Sequence, residues 1–116
     1  MTNIICERAY DEPRLENTYR VLVDRLWPRG IKKDNLPLDD WIKDIAPSTE
    51  LRKWFNHETD KWPEFQTRFS KELDTHKDLL EGLQKKAGNK TLVLVFAAKD
   101  SEHNNAVVIK NYLSTL

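Results

Sequence analysis

The sequence predicts an α/β domain: a small, mostly parallel, three-layer sheet of about three to four strands, with one long amphipathic helix in the crossover and a helix at the carboxyl end. Three observations predict it. Short runs of strand-forming residues stand at Ile4 to Cys6, Val21 to Val23 and Thr91 to Ala97. The last run is apolar at successive positions, as a strand covered on both faces must be. Between the second and third runs, apolar residues recur every three or four positions, the period of a helix with one buried face. Two parallel strands joined through helices make a right-handed crossover, and their carboxyl ends then open on one edge.

Taken in order, Asn3 to Arg8 is the first strand, and Tyr10 to Thr18, with Pro13 and Asn17, is loop or one helical turn. About a dozen residues separate the first two strands, near the lower limit for a parallel crossover. The sequence therefore leaves the direction of the first strand open. The second strand runs into Asp24-Arg25-Leu26-Trp27-Pro28-Arg29-Gly30, which can only turn. Ile31 to Asp40 is a polar connecting loop, and Trp41, Ile42 and Ile45 form a half-buried turn. Ser48 is placed to cap a short helix bearing Leu51, Trp54 and Phe55, which fades near Asn56 and His57.

The longest element spans about Asp60 to Ala87. Asp60 can cap it, and Pro63 falls in the first turn, where a missing N–H costs nothing. Trp62, Phe65, Phe69, Leu73, His76, Leu79, Leu80 and Leu83 form its apolar stripe. Gly82 costs about 1 kcal/mol relative to Ala and hints at an earlier end or a kink. Lys85, Lys86 and Gly88-Asn89 make a stop signal. After the third strand, Ala98 to His103 is a polar loop, and Asn104 or Asn105 caps a last helix carrying Val107, Val108, Ile109, Tyr112 and Leu113.

A chain of 116 residues with 33% charged side chains is one domain, expected over residues 1–116, with a heavily solvated surface. Lys plus Arg and Asp plus Glu both total 19, which argues against nucleic-acid or anionic-membrane binding by the molecule as a whole. Cys6 is the sole cysteine and no apolar stretch suits a signal peptide or a membrane span, so the cytoplasm is expected. Cys6 itself reads as a small buried hydrophobe. One thiol and no histidine pair at ligand spacing argue against a metal, and the absence of a Gly-rich phosphate loop argues against a nucleotide cofactor of that kind. No cofactor is expected.

The chemistry concentrates at two strand ends. From Arg20 to Lys33 there are five cations, Arg20, Arg25, Arg29, Lys32 and Lys33, against Asp24 alone. Arginine forks suit phosphate or carboxylate, and Trp27 offers a stacking face. The plainer reading pairs Arg25 with an acid of the long helix and puts Trp27 in the core or an interface. Asp24 could be a general base, but cations around it would lower its pKa, favouring a carboxylate that orients Arg25. Lys99, Asp100 and His103 precede a helix start, and His103 is the best acid–base candidate of the three histidines. His76 lies on the apolar stripe and reads as a core histidine.

Three blocks carry a resemblance: Arg20 to Gly30; Leu51 to His57 with Trp62, Phe65 and Arg68; and Ala97 to Ala106. Together they resemble the YeaO-like branch of domain-of-unknown-function family 488, over nearly the whole chain. The resemblance implies a small bacterial-type α/β domain of uncharacterised activity. The wider family has an Asp-Arg pair after one strand, matched by Asp24 and Arg25, and a Cys-His-Arg stretch opening the last helix. Here the second site has His103-Asn104-Asn105 and no thiol, so no cysteine-dependent mechanism is implied there.

The leading expectation is a crevice in which Arg25 and Arg29 clamp a phosphorylated or carboxylate-bearing small molecule. Trp27, Lys99 and Asp100 would complete the binding surface, with Asp24 and His103 as the catalytic candidates if a reaction occurs. The alternative is a non-catalytic module that engages nucleic acid or a protein partner, a second copy included, through Arg20–Lys33 and Trp27.

Overall fold

The computed structural model describes residues 3–116, so the first two residues of the domain expected over 1–116 lie outside the described residues. Four strands, β1 (Ile4–Arg8), β2 (Thr18–Leu22), β3 (Asp40–Trp41) and β4 (Thr91–Phe96), form one sheet in the order β1-β4-β2-β3. Every pairing is parallel. The fold is α/β as predicted, and β1, whose direction the sequence leaves open, runs parallel to β4 with Cys6 opposite Leu94. The register of β2 sets Val21 opposite Leu94 and Leu22 opposite Val95. β4 is therefore the central strand, consistent with the burial of every residue from Leu92 to Phe96.

The helices are α1 (Thr49–Phe55), α2 (Trp62–Leu73), α3 (Lys77–Ala87) and α4 (Asn105–Leu113). Side chains alternate across a strand, so Val21, Val23, Leu92, Leu94 and Phe96 share one face. They meet Leu51, Phe55, Phe65, Phe69, Leu80, Leu83 and Ile109 in one core. The other face, with Leu22, Val93 and Val95, packs against Leu36 and is flanked by Trp27, Ile31 and Trp41. The layer over this second face is loop and not helix.

Local chemistry accounts for most element ends. Ser48 caps α1, its side chain accepting from the Leu51 N–H, and Asn56 ends it in a left-handed conformation. Asn104, not Asn105, caps α4, accepting from the Val107 N–H. The long element differs from expectation in three details. A 3-10 turn at Thr59–Lys61 leads into α2, whose amino end has no side-chain cap, so Asp60 does not serve as one. The helix passes through Gly82 to Ala87; its break is a 3-10 turn at Asp74–His76. Leu80 and not Leu79 continues the buried register from Leu73 to Leu83, leaving Leu79 41% exposed.

Arg20 corrects the basic patch expected over residues 20–33. It lies on the loop-covered sheet face, 5% exposed, with its guanidinium 2.5 Å from Glu7 on β1. It also donates to the Pro37 carbonyl at 2.8 Å. The ion pair crosses over β4, and Arg20 presents no charge to solvent. Burial by itself would push the Glu7 carboxyl up, but hydrogen bonds from Arg14 and Arg20 together hold it below the usual glutamate value.

Candidate functional site

β2 and β4 are parallel neighbours, so the chain leaves both at the same edge of the sheet. The loops after them, and the amino end of α4, enclose a cavity of about 460 Å³. Its lining includes Asp24, Arg25, Trp27 and Arg29 from the first loop and Ala97, Ala98, His103 and Asn104 from the second. Arg52, Phe55 and His57 close it from α1 and the turn after it, and Phe65 from α2. Lys99 and Asp100 lie outside that lining: Lys99 is exposed, and Asp100 is folded back on its own loop.

Asp24 is the joint between the two strand ends. One carboxylate oxygen accepts the Ala97 N–H at 2.9 Å and the other accepts the Asn105 side-chain amide at 3.0 Å. Asn105 also donates to the Val23 carbonyl at 3.0 Å, and the Trp41 indole donates to the Asp24 carbonyl at 2.7 Å. The expectation of a lowered Asp24 pKa is overturned. Burial pushes the carboxyl up, and the hydrogen bonds from Asn105 and Ala97 and the charge of Arg52 only partly oppose it.

Asp24 does not orient Arg25. The Arg25 guanidinium turns the other way and donates to the carbonyls of Ala46 and Pro47, both at 3.3 Å, while its Nε is buried without an acceptor. Nor does Arg25 pair with an acid of the long helix: the nearby Glu72 carboxylate is taken by the Ser48 N–H at 2.8 Å and hydroxyl at 2.6 Å. Arg29 is exposed at the cavity mouth, where its carbonyl accepts the Tyr10 hydroxyl at 2.9 Å. Trp27 donates to the Ile31 carbonyl at 2.7 Å and meets Trp41 edge-on, with centroids 5.5 Å apart, so its ring is fixed as a wall.

His103 is also fixed. Its Nδ1 lies 2.9 Å from Asp100, and its ring stands edge-on to Trp62 with centroids 5.1 Å apart. The Glu102 N–H, followed by His103, holds the Asp100 carboxyl below the usual aspartate value. His57, with φ of 57°, sits beside Phe55 at the end of α1. Half-buried His76 is not in this cavity. Cys6 is half-buried against the helical core, and burial pushes its thiol up to about 11.

Sequence reasoning missed Arg52, His57 and the role of Asn105. Among the described residues, no group of three or more His, Cys, Asp or Glu side chains is arranged to hold a metal ion. No helix among them is long and apolar enough to cross a membrane.

The whole described chain matches one family. The model named DUF488-N3i, described as the inactive DUF488-N3 subclade, matches residues 3–116. The uncharacterized protein YeaO of Escherichia coli strain K12 is 44% identical over 114 residues, covering 98% of this chain and 99% of that protein. Uncharacterized proteins of Mycobacterium bovis and Mycobacterium tuberculosis are each 36% identical over 113 residues, covering 97% of this chain and 95% of theirs. No solved structure matches the chain. With a family model spanning residues 3–116 and a relative this similar along its full length, the chain belongs to the DUF488 family, in its YeaO-like branch.

Proposed function

We propose that this chain is a binding domain for a small phosphorylated or carboxylate-bearing molecule, held in the cavity at the ends of β2 and β4. One observation carries the reading. Arg25, Arg29 and Arg52 line a cavity in which, among the described lining residues, Asp24 is the one carboxylate. That carboxylate is already engaged by Ala97 and Asn105. The three guanidinium groups therefore favour an anion, and a guanidinium presents a planar fork suited to phosphate or carboxylate. The buried, unpartnered Nε of Arg25 is a donor in want of an acceptor.

Binding without turnover is the favoured form of this reading. Each oxygen of Asp24 already accepts one hydrogen bond that joins the strand ends, which favours an anchoring role over proton transfer. The description of the matching family as an inactive subclade supports the same reading. In this role His103, Trp27 and Asp100 shape and stiffen the walls, and Lys99 adds positive charge beyond the rim.

Calorimetric titration with phosphate and carboxylate compounds tests the proposal. Binding is expected to weaken about tenfold in Arg52→Ala, an exposed position on α1. If no such compound binds at millimolar concentration, or if Arg25→Ala and Arg52→Ala leave every affinity unchanged, the reading is wrong.

A further inference from the structure

The cavity is much larger than an anion needs, and its lining includes aromatic and aliphatic side chains. A phosphate or carboxylate group would fill only a small part of 460 Å³. Two of the five exposed large apolar side chains among the described residues stand in its lining: Leu26, 66% exposed, and Tyr10, 46% exposed. Deeper in, Phe55 and Phe65 contribute to the lining, stacked on each other at 4.3 Å and 6% and 2% exposed. Buried aromatic rings, exposed apolar side chains and guanidinium groups in one lining describe an amphiphilic site.

From this, and resting on the anion-binding reading, we infer that the ligand carries its anionic group on a ring-sized apolar body, as an aryl phosphate or aryl carboxylate does. Leu26 gives the inference its sharpest point. It follows the Asp24-Arg25 pair directly, so the anchored carboxylate of Asp24 fixes the loop that displays it. It belongs to neither hydrophobic core. A leucine displayed in this way gains burial only when something apolar lies against it. The Tyr10 hydroxyl is tied to the Arg29 carbonyl, which holds Tyr10 against the same loop. A ring-sized body lying against Leu26 and Tyr10 would cover both, with its anionic group among the guanidinium groups of the same lining.

The test compares matched pairs of probes by calorimetry: phenyl phosphate against methyl phosphate, and benzoate against acetate. The ring-bearing member of a pair is expected to bind at least about tenfold tighter, the order set by burying one ring face. Leu26→Ser, a substitution at an exposed position, is expected to erase a large part of that preference, weakening the ring-bearing member of each pair more than its partner. Equal affinities within each pair, with binding still lost in Arg52→Ala, would overturn this inference and leave the anion-binding reading standing. Binding by none of the four probes would overturn both.

Discussion

Asp24 and Asn105, 81 positions apart, are joined by a 3.0 Å hydrogen bond that ties the end of β2 to the first turn of α4. The same carboxylate accepts the Ala97 N–H at the end of β4. One side chain thus holds two strand ends and a helix start together at the cavity.

Removing it leaves two donors without acceptors. Asp24→Ala is expected to destabilise the protein by about 2–3 kcal/mol, the cost of stranding the Ala97 N–H and the Asn105 amide. Asn105→Ala removes two bonds, one to the Asp24 carboxylate and one to the Val23 carbonyl, and is expected to cost about 2 kcal/mol. Urea unfolding measures both. A loss under about 0.5 kcal/mol in each would show that the joint is dispensable.

The same carboxyl sets a pH dependence of unusual sign. The folded Asp24 holds its proton more tightly than the unfolded chain, whose value is the ordinary 3.8. The folded state therefore binds more protons in the window just above 3.8, and its contribution to stability falls as pH rises through that window. Glu7 runs the other way: its folded value is lowered, so its contribution is present above the ordinary 4.5 and lost as pH falls through the lowered value. Asp24→Asn is expected to remove the decline above pH 3.8, and Glu7→Gln to soften acid unfolding. Chemical denaturation at intervals from pH 3 to 7 reads both slopes; superimposable profiles for the wild type and Asp24→Asn would reject the assignment.

The ion pair across β4 is the largest buried electrostatic element described. Arg20→Ala strands Glu7 with only Arg14 beside it and is expected to cost about 3 kcal/mol. Arg20 and Glu7 replaced together by Met and Leu are expected to recover a large part of that loss, because well-packed apolar residues replace buried charges at little net cost. A double variant no more stable than Arg20→Ala would show that the pair contributes more than it costs to desolvate.

Strands β1, β2 and β4 were legible because each carries an apolar run, and the parallel crossover then followed from the helical period between two of them. β3 was not: Asp40–Trp41 pairs only because the loop from Trp27 folds over the sheet face and brings it back beside Leu22. Asp24, Arg25, Trp27, Arg29 and His103 could be named because they sit at strand ends or helix starts, where local sequence marks the address. Arg52 and His57 could not, since their approach depends on how α1 docks. A count of charges likewise could not show that Arg20 points into the loop-covered face, or that burial of Asp24 outweighs its hydrogen bonds and the charge of Arg52. Local pattern reports which residues leave a strand together; it does not report what tertiary packing lays over them.

Arg25 offers the cleanest separation of binding from folding. Its two hydrogen bonds, to Ala46 and Pro47, are both 3.3 Å long, near the limit at which such a bond contributes. Its Nε has no acceptor at all. Arg25→Lys keeps the charge, gives up the fork and removes the stranded Nε, so stability is expected to change by less than about 1 kcal/mol. Affinity for phenyl phosphate is expected to fall about tenfold, because a lysine ammonium cannot reproduce two parallel bonds to one anion. Urea unfolding and calorimetry on the same preparation read the two effects separately. If stability falls by more than about 2 kcal/mol while affinity is unchanged, Arg25 is a strut between the loop and α1, and the anion is held by Arg29 and Arg52 without it.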